Sequence, residues 1–323
     1  MMKKFQMSKP GVMAMEQPTL DLTVIVVNWN TKKLVLDTLA AVYANLPDPY
    51  RLEVMVVDNA SSDGSPAAIA SAFPQVQLIA NRENRGFGPA NNQALKLARG
   101  RYSLLLNSDA LVQPGSLKQI IEFMDAHPHA GLCGVQILNA DGTFQGSYAN
   151  YLNLGREFLI LTGLGRRLVT PHYPSYGPTR SQETKVVPTI QGAFMFARTE
   201  ALAQIGWLDE GFFMYGEEND LSWRLYRAGW EVYYLADVKI IHLGGQSTAK
   251  NVTKMSWQLQ RSKVRLFRKH YGLFPALLLK LLVCLAVFTK LIVSYAKMVL
   301  PRRHNARARW CNWADLWSFI RTA

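Results

Sequence analysis

The run Leu22-Thr-Val-Ile-Val-Val27 is apolar at nearly every position and rich in β-branched residues. That is the pattern of a strand buried on both faces of a parallel sheet. The period then changes. From Thr31 to Leu46, apolar residues recur at helical spacing through Leu34, Leu36, Leu39, Val42 and Tyr43, until Pro47 stops the pattern. The alternation repeats, with strands predicted at Leu52 to Val57, Val76 to Ala80 and Tyr102 to Leu106, and helices at Pro66 to Phe73 and Pro89 to Ala98. Strand and helix alternating at this spacing imply βαβ units with right-handed crossovers, hence a doubly wound α/β sheet covered by helices.

The second half is less regular. Gly131 to Leu138 predicts a strand, Asn139-Ala-Asp-Gly142 a turn, Val186 to Ile190 a strand and Arg198 to Ile205 a helix. Between them, Tyr148 to Gln182 reads as a long loop because Pro171, Pro174, Gly177 and Pro178 interrupt it. Glu231 to Leu235 and Lys239 to Ile241 predict two further strands, ending at His242-Leu-Gly-Gly-Gln-Ser247.

Ligands of such sheets bind beyond the carboxyl ends of the strands. Here those ends run into Asn28-Trp29-Asn30, Asp58-Asn59-Ala60-Ser61-Ser62-Asp63-Gly64, Asn81-Arg82-Glu83-Asn84-Arg85-Gly86-Phe87-Gly88 and Asn107-Ser108-Asp109, all polar and predicted to converge on one crevice. Asp58 can accept hydrogen bonds from a base or a ribose, although a turn Asp bonding its own backbone fits the residue equally well. Asp109 can offer hard oxygen to a divalent cation, and His242 could add a ligand or touch a phosphate, against the commoner structural role of a lone His. Gly86-Phe-Gly-Pro-Ala-Asn91 lacks the third Gly of a dinucleotide fingerprint and follows the third strand instead of the first, which excludes a dehydrogenase of that type.

The densest chemistry is Glu217-Glu218-Asn219-Asp220, at the start of a predicted helix. Acids are favoured in a first turn by the macrodipole, so a helix-terminus role and a functional one stand side by side. At helical spacing Glu218 aligns with Leu221 and Leu225, the predicted buried stripe, while Glu217 shares a face with Asp220 and Arg224. A carboxylate at the edge of an apolar surface is partly desolvated, which raises its proton affinity and suits it to base chemistry.

Charge divides the chain. The formal net charge is +13, but residues 250–323 hold fifteen Lys and Arg against the single acid Asp315, leaving −1 on residues 1–249. A basic block of this kind attracts nucleic acid or anionic lipid. Asn251 to His270 predicts a basic helix with Trp257, Val264, Phe267 and Tyr271 on one stripe. Leu273 to Leu300 is apolar but interrupted by Lys280, Lys290 and Lys297, so its longest clean run, Leu281 to Thr289, falls short of the ~20 residues a spanning helix needs. The lysines and Ser294 fall within an arc of roughly 100°, which predicts a helix lying in an anionic membrane surface with lysines reaching to headgroups. Trp310, Trp313, Trp317 and Phe319 fit the same anchor. The alternative is a helix pair packed on the body or on a second subunit, in a homo-oligomer. No basic-plus-aromatic nucleic-acid module is present, so nucleic acid is not an expected partner. Cys133, Cys284 and Cys311 are scattered without metal-ligand spacing, which predicts unpaired thiols in a reducing compartment. Residues 1–20 lack the continuous apolar core of a signal peptide and are expected to form a flexible leader.

Eight stretches in order carry a family likeness: Val26-Val-Asn-Trp-Asn30, Val57-Asp-Asn-Ala-Ser-Ser-Asp-Gly64, Asn84-Arg-Gly-Phe-Gly-Pro-Ala-Asn-Asn92, Leu104-Leu-Leu-Asn-Ser-Asp109, Gln191-Gly-Ala-Phe-Met195, Gly206-Trp-Leu-Asp-Glu-Gly-Phe-Phe213, Glu217-Glu-Asn-Asp-Leu-Ser222 and His242-Leu-Gly-Gly-Gln-Ser247. Together they resemble family 2 glycosyltransferases with the GT-A fold, in particular the bacterial rhamnosyltransferase-like enzymes of O-antigen and cell-wall polysaccharide assembly. The resemblance implies a GT-A (Rossmann-like) mixed, mainly parallel sheet flanked by helices in residues 21–250, followed by the basic helical module in 251–323. It also implies inverting transfer of a sugar from a nucleoside diphosphate donor, with Mg2+ or Mn2+ on the diphosphate.

Carried onto this chain, the resemblance makes Asp58 the nucleobase contact and places Asn28 and Asn30 in the nucleoside pocket. Arg85, Gly86, Asn107, Gln191 and Gly192 join the donor site, and Asp109 and His242 would hold the metal. Asn107 stands where the family's Asp-X-Asp motif has its first Asp. Glu218 would be the catalytic base, where the family more often has Asp, with Glu217 the fallback. The implied donor is dTDP-rhamnose, with UDP-galactofuranose, another UDP-sugar or a non-catalytic nucleotide-sugar-binding role as alternatives. The implied acceptor is a polyprenyl-linked glycan at the cytoplasmic face of the inner (plasma) membrane.

Overall fold

In the computed structural model, residues 20–46, 48–176, 181–244, 252–299 and 319 are described. Residues 1–19 of the expected leader, Gly245 to Ser247 and most of the aromatic C-terminal end lie outside them, while Leu20, also expected in the leader, opens the first strand. The first half follows the predicted alternation: β1 (Leu20–Asn28), α1 (Lys32–Ala44), β2 (Leu52–Asp58), α2 (Ser65–Ala72), β3 (Gln77–Ala80), α3 (Phe87–Leu95) and β4 (Gly100–Asn107). These four strands are parallel in the order β3-β2-β1-β4, with Val26 level with Val56 on one side and Leu106 on the other. Side chains alternate along a strand, so β1 feeds two cores. Val24 and Val26 meet Leu39, Val42 and Ile69 of α1 and α2 on one face, while Ile25 meets Met55, Ala90 and Leu95 on the other. This double burial is why Leu22 to Val27 carries no polar alternation.

The chain continues through β5 (Ala110–Val112), α4 (Ser116–Ala126), β6 (Ala130–Leu138), β7 (Phe144–Gln145), β8 (Tyr148–Ala149), α5 (Leu154–Thr162), α6 (Leu164–Leu168), β9 (Lys185–Val186), β10 (Thr189–Ile190), β11 (Phe194–Arg198), α7 (Thr199–Gln204), α8 (Glu217–Arg227), β12 (Glu231–His242), α9 (Val252–Tyr271) and α10 (Leu273–Val299). β11 enters antiparallel between β4 and β6, and β12 lies parallel to β6. The sheet is therefore mixed and mainly parallel, in the order β3-β2-β1-β4-β11-β6-β12-β5 with β7 and β9 at its margins.

Three local expectations change. The span read as a loop from Tyr148 to Gln182 contains α5 and α6, because Asn153 caps α5 by accepting the Arg156 N–H at 2.9 Å and the prolines begin only after both helices end. The single strand expected at Val186 to Ile190 divides at Pro188, which cannot donate to a ladder, so β9 joins β12 and β10 joins β8. The two strands expected in 231–241 are one, β12, with an irregularity between Leu235 and Lys239 where its pairing to β6 shifts.

The C-terminal helices close a third core. Trp257, Val264 and Phe267 of α9 meet Ala276, Leu279 and Val283 of α10, with Leu154 and Leu161 of α5 packed against them. Inside it Lys263 Nζ donates to Glu157 Oε2 at 2.8 Å, and Glu157 is fully buried with its other oxygen unpartnered. The segment Leu273–Lys290 of α10 has a mean hydropathy of 2.0. By length and composition it is long and apolar enough to cross a membrane, which the expectation from clean runs alone did not allow for.

The Glu157–Lys263 pair yields a stability test. Lys263→Met strands a buried carboxylate and is expected to destabilise the fold by about 3–5 kcal/mol, whereas adding Glu157→Leu restores most of the loss. Urea unfolding of the two variants measures both.

Candidate active site

The carboxyl ends of β1 to β4 meet the loops before β11 and α8 around a cavity of about 320 Å³. Trp29, Asn59, Asn84, Gly86 and residues Asn107, Ser108 and Asp109 form part of its wall, and Gln145, Gln191, Gly192, Tyr215, Glu217, Glu218 and His242 form the rest. Eight of the predicted site residues are thus brought together: Gly86, Asn107, Asp109, Gln191, Gly192, Glu217, Glu218 and His242. Arg85 is exposed beside Gly86.

Asn28, Asn30 and Asp58 stand behind this wall. Asp58 is buried, accepting from Asn28 Nδ2 at 2.7 Å and from the Ser61 N–H at 2.8 Å, so it ties the loop after β2 to the end of β1. Asn30 takes a left-handed conformation (φ 55°) and accepts the Ser62 N–H at 2.7 Å.

Close backbone approach explains the glycine in Asn84-Arg-Gly-Phe. A Cβ on Gly86 would lie 2.4 Å from the Phe213 carbonyl oxygen, which also accepts the Phe87 N–H at 2.7 Å. Asn92 grips the same region from α3, donating to the Leu208 carbonyl at 2.9 Å and accepting the Leu208 N–H at 3.0 Å. The loop ahead of α8 then turns through two consecutive left-handed residues, Tyr215 (φ 68°) and Gly216 (φ 88°). For Tyr215 this conformation costs on the order of 1–2 kcal/mol. Ser262 of α9 holds the turn by donating to the Met214 carbonyl at 2.8 Å.

That turn delivers two carboxylates in unequal surroundings. Glu218 is half-buried and receives the Gly216 N–H at 3.1 Å and Asn219 Nδ2 at 2.8 Å. Burial raises its proton affinity, and these donors oppose the rise. Glu217 is buried, one oxygen has no partner, and burial together with the charge on Glu218 pushes its carboxyl well above the usual range. The pair therefore holds its first negative charge on Glu218. The predicted division of faces is altered accordingly: Leu221 and Leu225 are buried as expected, but Glu217 and Asp220 are more buried than Glu218. The reason is α9, which covers the second face of α8.

Asp220 is where α9 grips it. Fully buried, it accepts from Arg224 Nε at 2.7 Å, Lys269 Nζ at 2.6 Å and His270 Nε2 at 2.8 Å. Burial opposes its ionisation, but the bonds to His270, Lys269 and Arg224 outweigh it and hold the carboxyl down at about 2.

Near Asn107, His242 Nδ1 lies 2.7 Å from Gln145 Oε1, which fixes the proton on Nδ1 and leaves the Nε2 lone pair facing Asp109 Oδ1 at 3.2 Å. Asn107 Nδ2, 3.3 Å from the same ring nitrogen, is placed to donate to it. Carboxylate oxygen with an imidazole oriented through its other nitrogen is a donor set that fits a divalent cation. Among the described residues no third Asp, Glu, His or Cys completes a protein-only cage, which leaves coordination positions for substrate oxygens. Gln145 escaped the sequence reading because a two-residue strand in a polar turn carries no periodic signal.

A mixed, mainly parallel sheet with its polar cavity at the strand ends and an acidic helix across it is a fold of the GT-A type. The chain belongs to glycosyl transferase family 2, whose model matches residues 23–206. It is 28% identical over 214 residues to the N-acetylglucosaminyl-diphospho-decaprenol L-rhamnosyltransferase of Mycobacterium tuberculosis, covering 62% of this chain and 69% of that one. Rhamnosyltransferase WbbL of Escherichia coli is 24% identical over 193 residues, covering 57% of this chain and 71% of the relative. In fold it is similar to the mannosyltransferase PcManGT from Pyrobaculum calidifontis, solved with GDP-Man and Mn2+, at a TM-score of 0.55 and 20% identity over 89% of this chain and 78% of that one.

The Asp220 clamp sets an acid limb for stability. Its carboxyl sits at about 2 when folded against an ordinary 3.8, so its contribution is present above pH 4 and is lost as the pH falls towards 2. The loss amounts to about 2 kcal/mol. Thermal unfolding from neutral to acid pH is expected to show this limb in the parent chain and a flatter profile in Asp220→Asn.

Proposed function

We propose that the protein transfers a sugar, with inversion, from a nucleoside diphosphate donor to a hydroxyl of a lipid-linked glycan in cell-surface polysaccharide assembly. The observation that carries this is the meeting, in one cavity, of an ionisable carboxylate with two fixed N–H donors, Glu218, and an oriented Asp109–His242 pair suited to a diphosphate and its cation. Rhamnose from dTDP-rhamnose is the favoured donor, supported by two relatives named as rhamnosyltransferases, one of them for a decaprenol-linked diphosphate acceptor. The proposed site of action is the cytoplasmic face of the inner membrane, supported by the decaprenol-linked acceptor in the name of one relative.

Glu218 accepts the proton of the acceptor hydroxyl as that oxygen forms its bond to the anomeric carbon. The bond from the anomeric carbon to the diphosphate oxygen breaks in the same step, and the nucleoside diphosphate leaves with the electron pair. Attack opposite the leaving group inverts the anomeric centre. Glu217, keeping its proton to higher pH, adds no second charge beside the base and offers an O–H to a sugar hydroxyl. Asp109 and His242 would hold Mg2+ or Mn2+, with Asn107 beside them; when bound, such a cation neutralises charge developing on the departing diphosphate. Gly86 and Gly192 line the donor cavity without bulk, Gln191 lines it with a side-chain amide, Arg85 is an exposed cation beside Gly86 that would serve the diphosphate, and Asn28, Asn30 and Asp58 shape the nucleoside end from behind.

Turnover with a panel of dTDP-, UDP- and GDP-sugars, Mn2+ and a lipid-linked acceptor tests the assignment. Glu218→Gln is expected to lower kcat by about 10³ while leaving the donor-induced thermal shift in place, and Glu217→Gln to cost far less. If no donor in the panel is consumed, or if Glu218→Gln turns over like the parent, the assignment is wrong. A second outcome concerns the cation. Gln145→Ala, which frees the His242 ring, is expected to weaken Mn2+ binding by about 10–100-fold in calorimetry.

A further inference from the structure

The outward side of α10 is left uncovered by the described residues. Phe274, Leu277, Leu281, Leu285, Phe288 and Ile292 are each about half exposed or more and recur at three- and four-residue steps along one stripe. Over 18 residues that stripe is about 27 Å long. From Leu273 to Val293 an arc of roughly 200° centred on it contains no charged residue: Lys280 stands at the edge of that arc, about 100° from its centre, and Lys290 lies on the opposite side, in line with Leu279 and Val283. The one polar residue in the arc, Thr289, bonds the Ala286 carbonyl of its own helix at 3.0 Å. The stripe itself is apolar at every one of its positions. Its breadth suits hydrocarbon.

A second apolar surface belongs to the helical elbow α5–α6, which shares the third core with α10. Phe158 lies beside the Leu154–Leu161 face that packs into that core and is 46% exposed. At the far end, two exposed cations, Arg166 and Arg167, are followed by Leu168 and Val169, exposed by 72% and 58%. Cations directly behind an exposed apolar tip are the arrangement that seats in an anionic interface, the tip among acyl chains and the guanidinium groups at headgroup phosphates. The approach to the elbow also touches the acidic helix: Tyr151, just ahead of α5, packs edge-on against Trp223 of α8 with centroids 4.5 Å apart, on the helix that carries Glu218 into the cavity.

We propose that the α5–α6 elbow is a second insertion point in an anionic lipid bilayer and forms one seat with the outward face of α10, so that the wall of the cavity bearing Glu218 stands beside the membrane. The proposal deepens the transferase assignment by stating where a lipid-linked acceptor arrives, and its test is independent of turnover.

The test is flotation of the full-length chain with vesicles of phosphatidylcholine, with and without phosphatidylglycerol. Leu168→Glu/Val169→Glu, which leaves α10 intact, is expected to reduce bound protein at least tenfold. Arg166→Gln/Arg167→Gln is expected to remove the preference for phosphatidylglycerol while keeping residual binding. Circular dichroism and donor-induced thermal shift should be unchanged, since all four side chains are exposed. Parent-like flotation of the elbow variants overturns the proposal, as does a parent chain that ignores both vesicles and forms a dimer that Leu281→Glu dissociates, because a second copy then covers the face. Normal flotation with no donor consumed would leave the seat standing and remove only the transferase assignment.

Discussion

Two adjacent carboxylates that share one low-dielectric wall set the terms for everything around them. Glu217 and Glu218 cannot both ionise cheaply there, and the conflict is resolved by the Gly216 backbone N–H and the Asn219 side-chain amide, which both donate to Glu218 while one Glu217 oxygen is left unpartnered. Holding that asymmetry requires the left-handed turn at Tyr215 and Gly216, and the turn requires bracing from both sides. The Asn84–Asn92 segment braces it through Phe213 and Leu208, and α9 braces it through Met214 and Asp220. Lys269 extends the brace by bonding Asp209 at 2.6 Å as well.

The same bracing makes α9 a structural part of the transferase body, although its sequence reads as the start of a separate basic module. Its basic side chains are not all available to a partner: Lys263 is spent on Glu157, and Lys269 and Arg265 on Asp209 and Asp220. The free apolar surface belongs instead to α10 and the α5–α6 elbow. α10 is apolar both where it packs on α5 and α9 and along the side facing away, unlike the one-sided stripe of a surface helix in a water-bounded protein.

Much of this was legible in the residues, and the exceptions have physical causes. Leu22 to Val27 announced a strand buried on both faces because successive positions had to be apolar on either side, and its three successors announced the parallel sheet by their alternation with helices, although the edge strand β3 is only partly buried. Phe194–Arg198 was hidden because an antiparallel strand inserted between parallel ones has the same composition as its neighbours, and only tertiary pairing reveals it. In the cavity, Asp109, His242 and the acid pair were found from position at element ends. Gln145 was not, since its role depends on a strand pairing that brings residues 97 apart in sequence together. Asp58 and Asn28 were singled out by the same logic of strand ends. Position alone could not reveal that they would satisfy each other behind the wall.

The division of charge between the two glutamates can be measured directly by following the 13C resonances of the Glu217 and Glu218 carboxyls through a pH titration, assigned with Glu217→Gln and Glu218→Gln. The account predicts that Glu218 ionises first, that Glu217 keeps its proton to clearly higher pH, and that removing Glu217 shifts Glu218 alone among the glutamates. Simultaneous titration of both in the ordinary carboxylate range, or ionisation of Glu217 ahead of Glu218, would contradict it.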